Sequence, residues 1–203
     1  MLIFLRHGRT AYNAEGRLQG QYDSPLDEVG WQQAKAVGLH LQENYDVARV
    51  ITSAMTRTRQ TVEAAGLLHL PTTVDDRWRE IDFGAYDQRR IQDVHVDLGA
   101  KWAEDPEWQP DGGAESIATL HRRVESALVD VLEAHDRVAS EQAIVIVSHA
   151  TPIKSAIAHA ALGGPPMILR LQIGLASVST MACTNGVSVL TSFNERPFPP
   201  SLR

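Results

Sequence analysis

Ala143-Ile144-Val145-Ile146-Val147-Ser148-His149-Ala150-Thr151-Pro152-Ile153 reads as a strand, a polar junction and a helix start. The five residues from Ala143 to Val147 are continuously apolar and mostly β-branched, the pattern of a strand covered on both faces rather than of one with a wet side. Pro152 then opens a helical run from Ile153 to Leu162, because the first turn of a helix tolerates a residue without an N–H. The same order of signals occurs twice upstream. Leu2-Ile3-Phe4-Leu5 is a second buried strand, after which Asp27 caps a helix carrying Ala34, Val37 and Leu41 on one stripe. Arg49-Val50-Ile51-Thr52 is a third, followed by a helical pattern from Met55 to Ala65. Ser116 caps a further run with Leu120, Val124, Leu128 and Val131 along one face. Strands alternating with helices predict an α/β fold, a three-layer α/β/α sandwich with a mostly parallel central sheet. The end of the chain departs from this pattern: Leu175 to Cys183 and Val187 to Phe193 flank Thr184-Asn185-Gly186, and Asn-Gly between β-rich runs predicts a hairpin and one antiparallel edge strand.

The 203 residues are 43% apolar and 22% charged, with no linker, repeat or compositional break, so a single domain over 1–203 is expected. Lys and Arg number 19 against 25 Asp and Glu, a net charge of −6 without any basic block, which disfavours broad nucleic-acid or anionic-membrane binding. Phosphate chemistry would need a local basic pocket. The single cysteine, Cys183, excludes a disulfide scaffold and reads as a small buried hydrophobe in a reducing compartment. Met1 to Leu5 is too short for a leader core, and no apolar stretch approaches the roughly 18 residues of a membrane helix. A cytoplasmic protein is expected.

The unusual polar residues fall at strand ends. Arg6-His7-Gly8 closes the first strand, Arg57 lies a few residues past the second, and His149 closes the strand quoted above. In an open parallel sheet the carboxyl ends of the strands share one edge, beside the crevice where ligands bind, so these scattered residues converge there. A single histidine at a strand end is commonly only capped or solvated; the coincidence at three strand ends favours a site. Zinc is not expected, because the eight histidines (7, 40, 69, 95, 121, 135, 149 and 159) include no i,i+4 pair and there is no second cysteine. A Gly-x-x-x-x-Gly-Lys loop, a Gly-x-Gly-x-x-Gly fingerprint and a Gly-x-Ser-x-Gly elbow are absent. Histidine and arginine chemistry is left.

Leu5-Arg6-His7-Gly8-Arg9-Thr10 with Asn13 resembles the Arg-His-Gly-x-Thr-x-x-Asn signature of the histidine phosphatase superfamily, in its phosphoglycerate-mutase-like branch. The remaining segments agree in order. Arg17-Leu18-Gln19-Gly20 with Ser24-Pro25-Leu26 resembles the phosphate-side loop, Ser53 to Thr61 the Ser-x-x-x-Arg-x-x-Gln-Thr segment, and Glu80-Ile81-Asp82-Phe83-Gly84 the segment holding the acid. Gly112 to Ser116 is similar to the loop entering the next long helix, and Val147-Ser148-His149 to the second histidine motif. The resemblance runs from about residue 2 to about residue 160.

This resemblance implies a small phosphatase that works through a phosphohistidine on His7, with Arg6, Arg57 and His149 as donors to the phosphoryl oxygens, and with no metal and no cofactor. Residue chemistry agrees: neutral imidazole is a competent nucleophile, planar guanidinium forks match phosphoryl oxygens, and the same cations disfavour protonation of His7. Asn13, Gln19 and Gly20 are expected to add neutral donors, Thr10 to support the loop, and Arg9, at a position where relatives vary, to extend substrate contacts or sit on the rim. An acid must protonate the leaving alkoxide and then, as carboxylate, activate water. The resemblance aligns Glu80 with that role; Asp82, two residues on, shares a face with it in an extended segment, so spacing alone does not separate them. Residues 82–115, with nine acids against three bases and with Trp102 and Trp108, are expected to form a cap that sets specificity: a solvated cover over buried tryptophans, or an aromatic wall for an uncharged leaving portion. Only 69 positions separate Glu80 from His149 and the tail from Arg196 to Arg203 is short, which favours a hydrolase over the mutase alternative; a non-catalytic phosphate- or protein-binding module is the third reading. The substrate is a small phosphomonoester that no local motif names (phosphosugar, phosphoglycerate derivative and α-ribazole phosphate are candidates), and relatives are commonly homodimers.

Overall fold

The computed structural model describes residues 1–135, 142–184 and 187–202. Six strands form one sheet in the order β3-β2-β4-β1-β5-β6. Strands β1 (Leu2–Arg6), β2 (Val47–Thr52), β3 (Thr72–Val74) and β4 (Ala143–Ser148) run parallel. The hairpin of β5 (Val178–Thr184) and β6 (Val187–Glu195) supplies the antiparallel pairing at the expected edge. Within it β5 is the reversed strand and the outermost strand, β6, points the same way as β1. The Asn185-Gly186 turn lies outside the described residues.

Continuous apolar runs become buried strands because helices cover both faces of the sheet. Leu2, Phe4, Ile144 and Ile146 face one side and pack with helices α4 (Ile91–Glu104), α5 (Ile117–His135) and α6 (Ala150–Ala160). Ile3, Leu5, Val145 and Val147 face the other, against α2 (Glu28–Asn44) and α3 (Thr56–Ala64), where Phe198 of the tail also packs. Two short helices, α1 (Ala11–Ala14) and α7 (Gly164–Ile168), complete the set used below. The Asp27 side chain accepts from the Gly30 N–H, 2.8 Å, and Ser116 Oγ from the Thr119 N–H, 3.0 Å, so both expected caps form. Helix α6 begins at Ala150, which makes Pro152 its third residue rather than its opener. Cys183, expected to be buried, is half-buried because β5 is covered on one side by the exposed edge strand β6.

What positions the site is the pairing of β1 with β4. Arg6 sits opposite Ser148 and Leu5 opposite Val147, with Thr52 of β2 beside Val147 on the far side. From these adjacent strand ends the chain leaves to opposite faces, β1 toward α2 and β4 into α6. Such a reversal opens a crevice beyond the carboxyl edge of the sheet. Gly8, just past β1, allows the next turn to lie against α2: a Cβ there would be 2.5 Å from the Gly30 carbonyl oxygen.

Candidate active site

A cavity of about 220 Å³ occupies this crevice. His7, Arg6 and Gln19 line it together with Glu80, Asn13 and Lys154; Arg17 and Thr151 also reach it. Three of these side chains, Arg6, Arg17 and Lys154, are cations and one, Glu80, is a carboxylate, an excess of positive charge suited to a dianion.

His7 is 3% exposed, and its Nδ1 lies 2.8 Å from the carbonyl oxygen of Gly8. A carbonyl only accepts, so Nδ1 carries the ring proton and Nε2 keeps its lone pair. Burial, then Arg57 and Arg6, hold the imidazole well below its ordinary pKa and so in the neutral form. His149, also fully buried, lies edge-on to His7 with ring centroids 5.1 Å apart. Its Nδ1 accepts from Arg57 Nε at 3.1 Å, which leaves the proton on Nε2, facing Ser53 Oγ at 2.9 Å. Burial and Arg57 depress its pKa as well.

Arg57 is completely buried, and its fork is occupied within the fold. Besides His149 it donates to the carbonyls of Tyr22 (2.9 Å), Gly20 (2.9 Å) and Gln19 (3.3 Å). Desolvation lowers its pKa to about 10, against the opposing pull of Glu80 and Asp23, and it remains a cation at neutral pH. It therefore stands behind His7 and ties the 19–22 loop to the floor of the site. Asp87 grips the same loop from outside, accepting the N–H groups of Gly20 (2.8 Å), Gln21 and Tyr22 (both 3.0 Å). The Gly20 amide, expected to face substrate, is spent on Asp87; the loop presents the Gln19 side chain instead.

Other donors belong to side chains that line the cavity. Thr10 caps α1 in a reciprocal bond with Asn13 and sets Gln19 by donating to its Oε1 at 2.7 Å. That leaves Gln19 Nε2, which is buried without a hydrogen-bond partner, as is Arg6 Nε; Arg6 Nη1 is fixed by the Ile173 carbonyl at 2.6 Å. Each unmatched donor costs roughly 1–3 kcal/mol.

Glu80 is 6% exposed, and its Oε1 accepts from the Ile81 N–H (2.9 Å) and from the Thr151 N–H in the first turn of α6 (3.2 Å). Arg123 holds its segment, donating to the carbonyls of Arg77, Arg79 and Glu80 while paired with both oxygens of Glu115 at 2.7 Å. Asp82 lies outside the His7 cavity: it accepts from the Gly84 N–H and lines a separate groove with Arg79 and Glu115. Arg9 also turns away, its Nε 2.7 Å from Asp27 Oδ2.

The chain thus brings Arg6, His7, Asn13, Gln19 and Glu80 to one cavity, sets Arg57 and His149 behind it, uses Thr10 as support, and leaves Arg9, Asp82 and the Gly20 amide out. Sequence reasoning missed Lys154, Asp87, Ser53 and Arg123 as contributors. Lys154 had a signal, being one helical turn past the first-turn residue Thr151; the others act through contacts that no spacing announces. Among the described residues no group of three or more His, Cys, Asp or Glu is placed to hold a metal ion, and no helix is long and apolar enough to cross a membrane.

Residues 2–196 match the family model of the histidine phosphatase superfamily, branch 1. Three proteins of Mycobacterium bovis and Mycobacterium tuberculosis are 33% identical over 182 residues, 88% of this chain, and the chain spans about half of their length, 49%. Phosphoserine phosphatase 1 of Hydrogenobacter thermophilus is 33% identical over 159 residues, covering 76% of this chain and 72% of that protein. A probable phosphoglycerate mutase of Salmonella choleraesuis is 37% identical over 136 residues, 65% and 63% of the two chains. Among solved structures, a mycobacterial glucosyl-3-phosphoglycerate phosphatase superposes with a TM-score of 0.83 at 27% identity, covering 95% of this chain and 98% of its own.

Proposed function

From its membership of the histidine phosphatase superfamily, branch 1, to which this chain belongs, we propose that the protein is a phosphatase that hydrolyses small phosphomonoesters through a phosphohistidine on His7, without a metal. The observation that carries this reading is the presence, in the walls of one cavity, of a neutral His7 whose proton sits on Nδ1 and of the Glu80 carboxyl.

In the first step, with Glu80 entering in its protonated form, Nε2 of His7 attacks phosphorus, the P–O ester bond breaks, and Glu80 gives its proton to the departing alkoxide. In the second, water attacks the phosphohistidine, Glu80 takes its proton, and the N–P bond breaks to release inorganic phosphate. Splitting one displacement into two gives the first step a nitrogen nucleophile and the second an imidazole leaving group, which departs more readily than an alkoxide. Arg6, Gln19 and Asn13 donate to the phosphoryl oxygens, Lys154 and Arg17 add positive charge, and Arg57 contributes its field from behind His7 while holding the loop. The Nδ1 bond to Gly8 keeps Nε2 aimed in both steps.

Brief exposure to a 32P-labelled phosphomonoester, with chelator present and followed by denaturation, should trap acid-labile, base-stable label on His7; label on Ser, Thr or Asp would overturn the mechanism. Glu80→Gln should slow hydrolysis of alkyl phosphates far more than that of p-nitrophenyl phosphate, whose leaving group needs no proton. Equal slowing of both would remove Glu80 as the acid. A mutase is the second reading, favoured by the likeness to the Salmonella protein. Interconversion of 3- and 2-phosphoglycerate with negligible phosphate release would select it, and phosphate binding with neither activity would select a binding module.

A further inference from the structure

A second cavity, about 320 Å³, adjoins the one that holds His7, and the two share Leu18, Phe83, Thr151 and Lys154 in their walls. Beyond this neck the lining is apolar: Leu98 and Trp102 from α4, Ile117 at the start of α5, and Ile168 and Leu169 at the end of α7. Leu98, Trp102, Ile117 and Ile168 are each nearly fully buried, and their positions are fixed by the core under the cap. Apolar cavities of roughly 150 Å³ already take up benzene-sized molecules, and this one is larger.

Gly99 adds an independent observation. It lies in the interior of α4, where glycine weakens a helix relative to alanine, and it lines this cavity; a Cβ at Gly99 would meet nothing within 4 Å. Neither backbone conformation nor close packing asks for glycine there. What its missing side chain leaves is space in the apolar compartment.

We propose that this compartment receives the leaving alcohol, so that the preferred substrates are phosphomonoesters of apolar alcohols, with the phosphoryl group at His7 and the hydrocarbon body against Trp102 and Leu98. This rests on the phosphatase reading above and names its substrate class. The acidic outer surface of residues 82–115 repels polyanions approaching from solvent, while the wall behind it selects for hydrocarbon. The aromatic wall is therefore formed by buried tryptophan, and the two readings of the cap describe its two sides.

The experiment is a homologous series of n-alkyl phosphates from ethyl to octyl. Full burial of a methylene corresponds to a rise in kcat/KM of up to about fourfold per added CH₂, continuing until the compartment is filled. Gly99→Leu, which puts a side chain into the compartment, should flatten the series, and Gly99→Ala should give an intermediate slope; circular dichroism checks that both variants fold. The matching alkylphosphonates, titrated by tryptophan fluorescence, should show the same dependence without turnover. A wild-type series that is flat or falls with chain length, or one equally steep in Gly99→Leu, overturns the proposal. Hydrolysis of ethyl phosphate with a flat series would refute the compartment and spare the phosphatase. Tightening phosphonate binding without hydrolysis of any ester would do the reverse.

Discussion

Arg57 shapes the candidate site although it does not line its cavity. Its four donor contacts end on His149 Nδ1 and on the carbonyls of Gln19, Gly20 and Tyr22, so one buried guanidinium sets the tautomer of a histidine and the path of a loop. A lysine in its place would keep the charge and lose the planar fork. Arg57→Ala should lower kcat/KM by about 10²–10³-fold, about 3–4 kcal/mol of transition-state stabilisation, and Arg57→Lys should recover less than a tenth of that factor. Steady-state kinetics on both variants checks this; recovery near wild type with lysine would mean that the charge alone is what matters. Lys154, by contrast, lines the cavity directly, and desolvation lowers its pKa despite the nearby Glu80 carboxylate.

Among the elements, the 19–22 loop is clamped from two sides, by Arg57 on its carbonyls and by Asp87 on its N–H groups. Asp87 belongs to the segment leading into α4, so its hydrogen bonds tie the 19–22 loop to the segment that carries Leu98 and Trp102. Asp87→Ala removes the acceptor of four amides, those of Gly20, Gln21, Tyr22 and Gln88, two of them on residues that are themselves exposed, so stability should fall by about 1–3 kcal/mol rather than by the full sum. KM should rise about tenfold while kcat changes less, because the loop carries Gln19 into the cavity; urea unfolding and kinetics read the two effects separately. An unchanged KM would show that Arg57 suffices to hold the loop. A second clamp, Arg123 across the carbonyls of 77, 79 and 80, fixes Glu80 against the first turn of α6, so the carboxyl proposed as the acid is set by helix-to-loop bonds from α5.

For the whole molecule, burying two histidines beside two arginines couples folding to pH. His7 and His149 bind protons near pH 6.5 when unfolded and well below that when folded. Below pH 6.5 the unfolded chain therefore binds more protons than the folded one, and stability falls with falling pH; above it this contribution is fully present. Urea unfolding at pH 7.5, 6.5 and 5.5 should show a decline approaching about 2.7 kcal/mol per pH unit for two protons at its steepest, and His7→Gln should make it shallower. Stability that is flat across this range would contradict the neutral state of both rings. The same shift predicts that His7, the proposed nucleophile, stays neutral at pH 6, which 15N spectra of the imidazoles would show directly.

Local order in the chain was enough to specify β1, β2 and β4, their following helices and the caps at Asp27 and Ser116, because periodicity and capping are properties of neighbouring residues. Short β3, exposed and only three residues long, left no such pattern, and α4 was obscured by the charges on its outer side although Val94, Leu98 and Trp102 recur at intervals of four. The ordered motifs also located the strand-end crevice and its family. Tertiary structure alone put Glu80 and not Asp82 in the wall of the His7 cavity, turned Arg9 onto Asp27, bonded the Gly20 amide to Asp87 and placed Arg57 and His149 behind His7. Each of those outcomes is a contact between residues brought together by folding, or the direction of a side chain leaving an irregular segment. Spacing along the chain carries neither, since hydrogen-bond partners are settled by which groups remain unpaired once the sheet and its helices have packed.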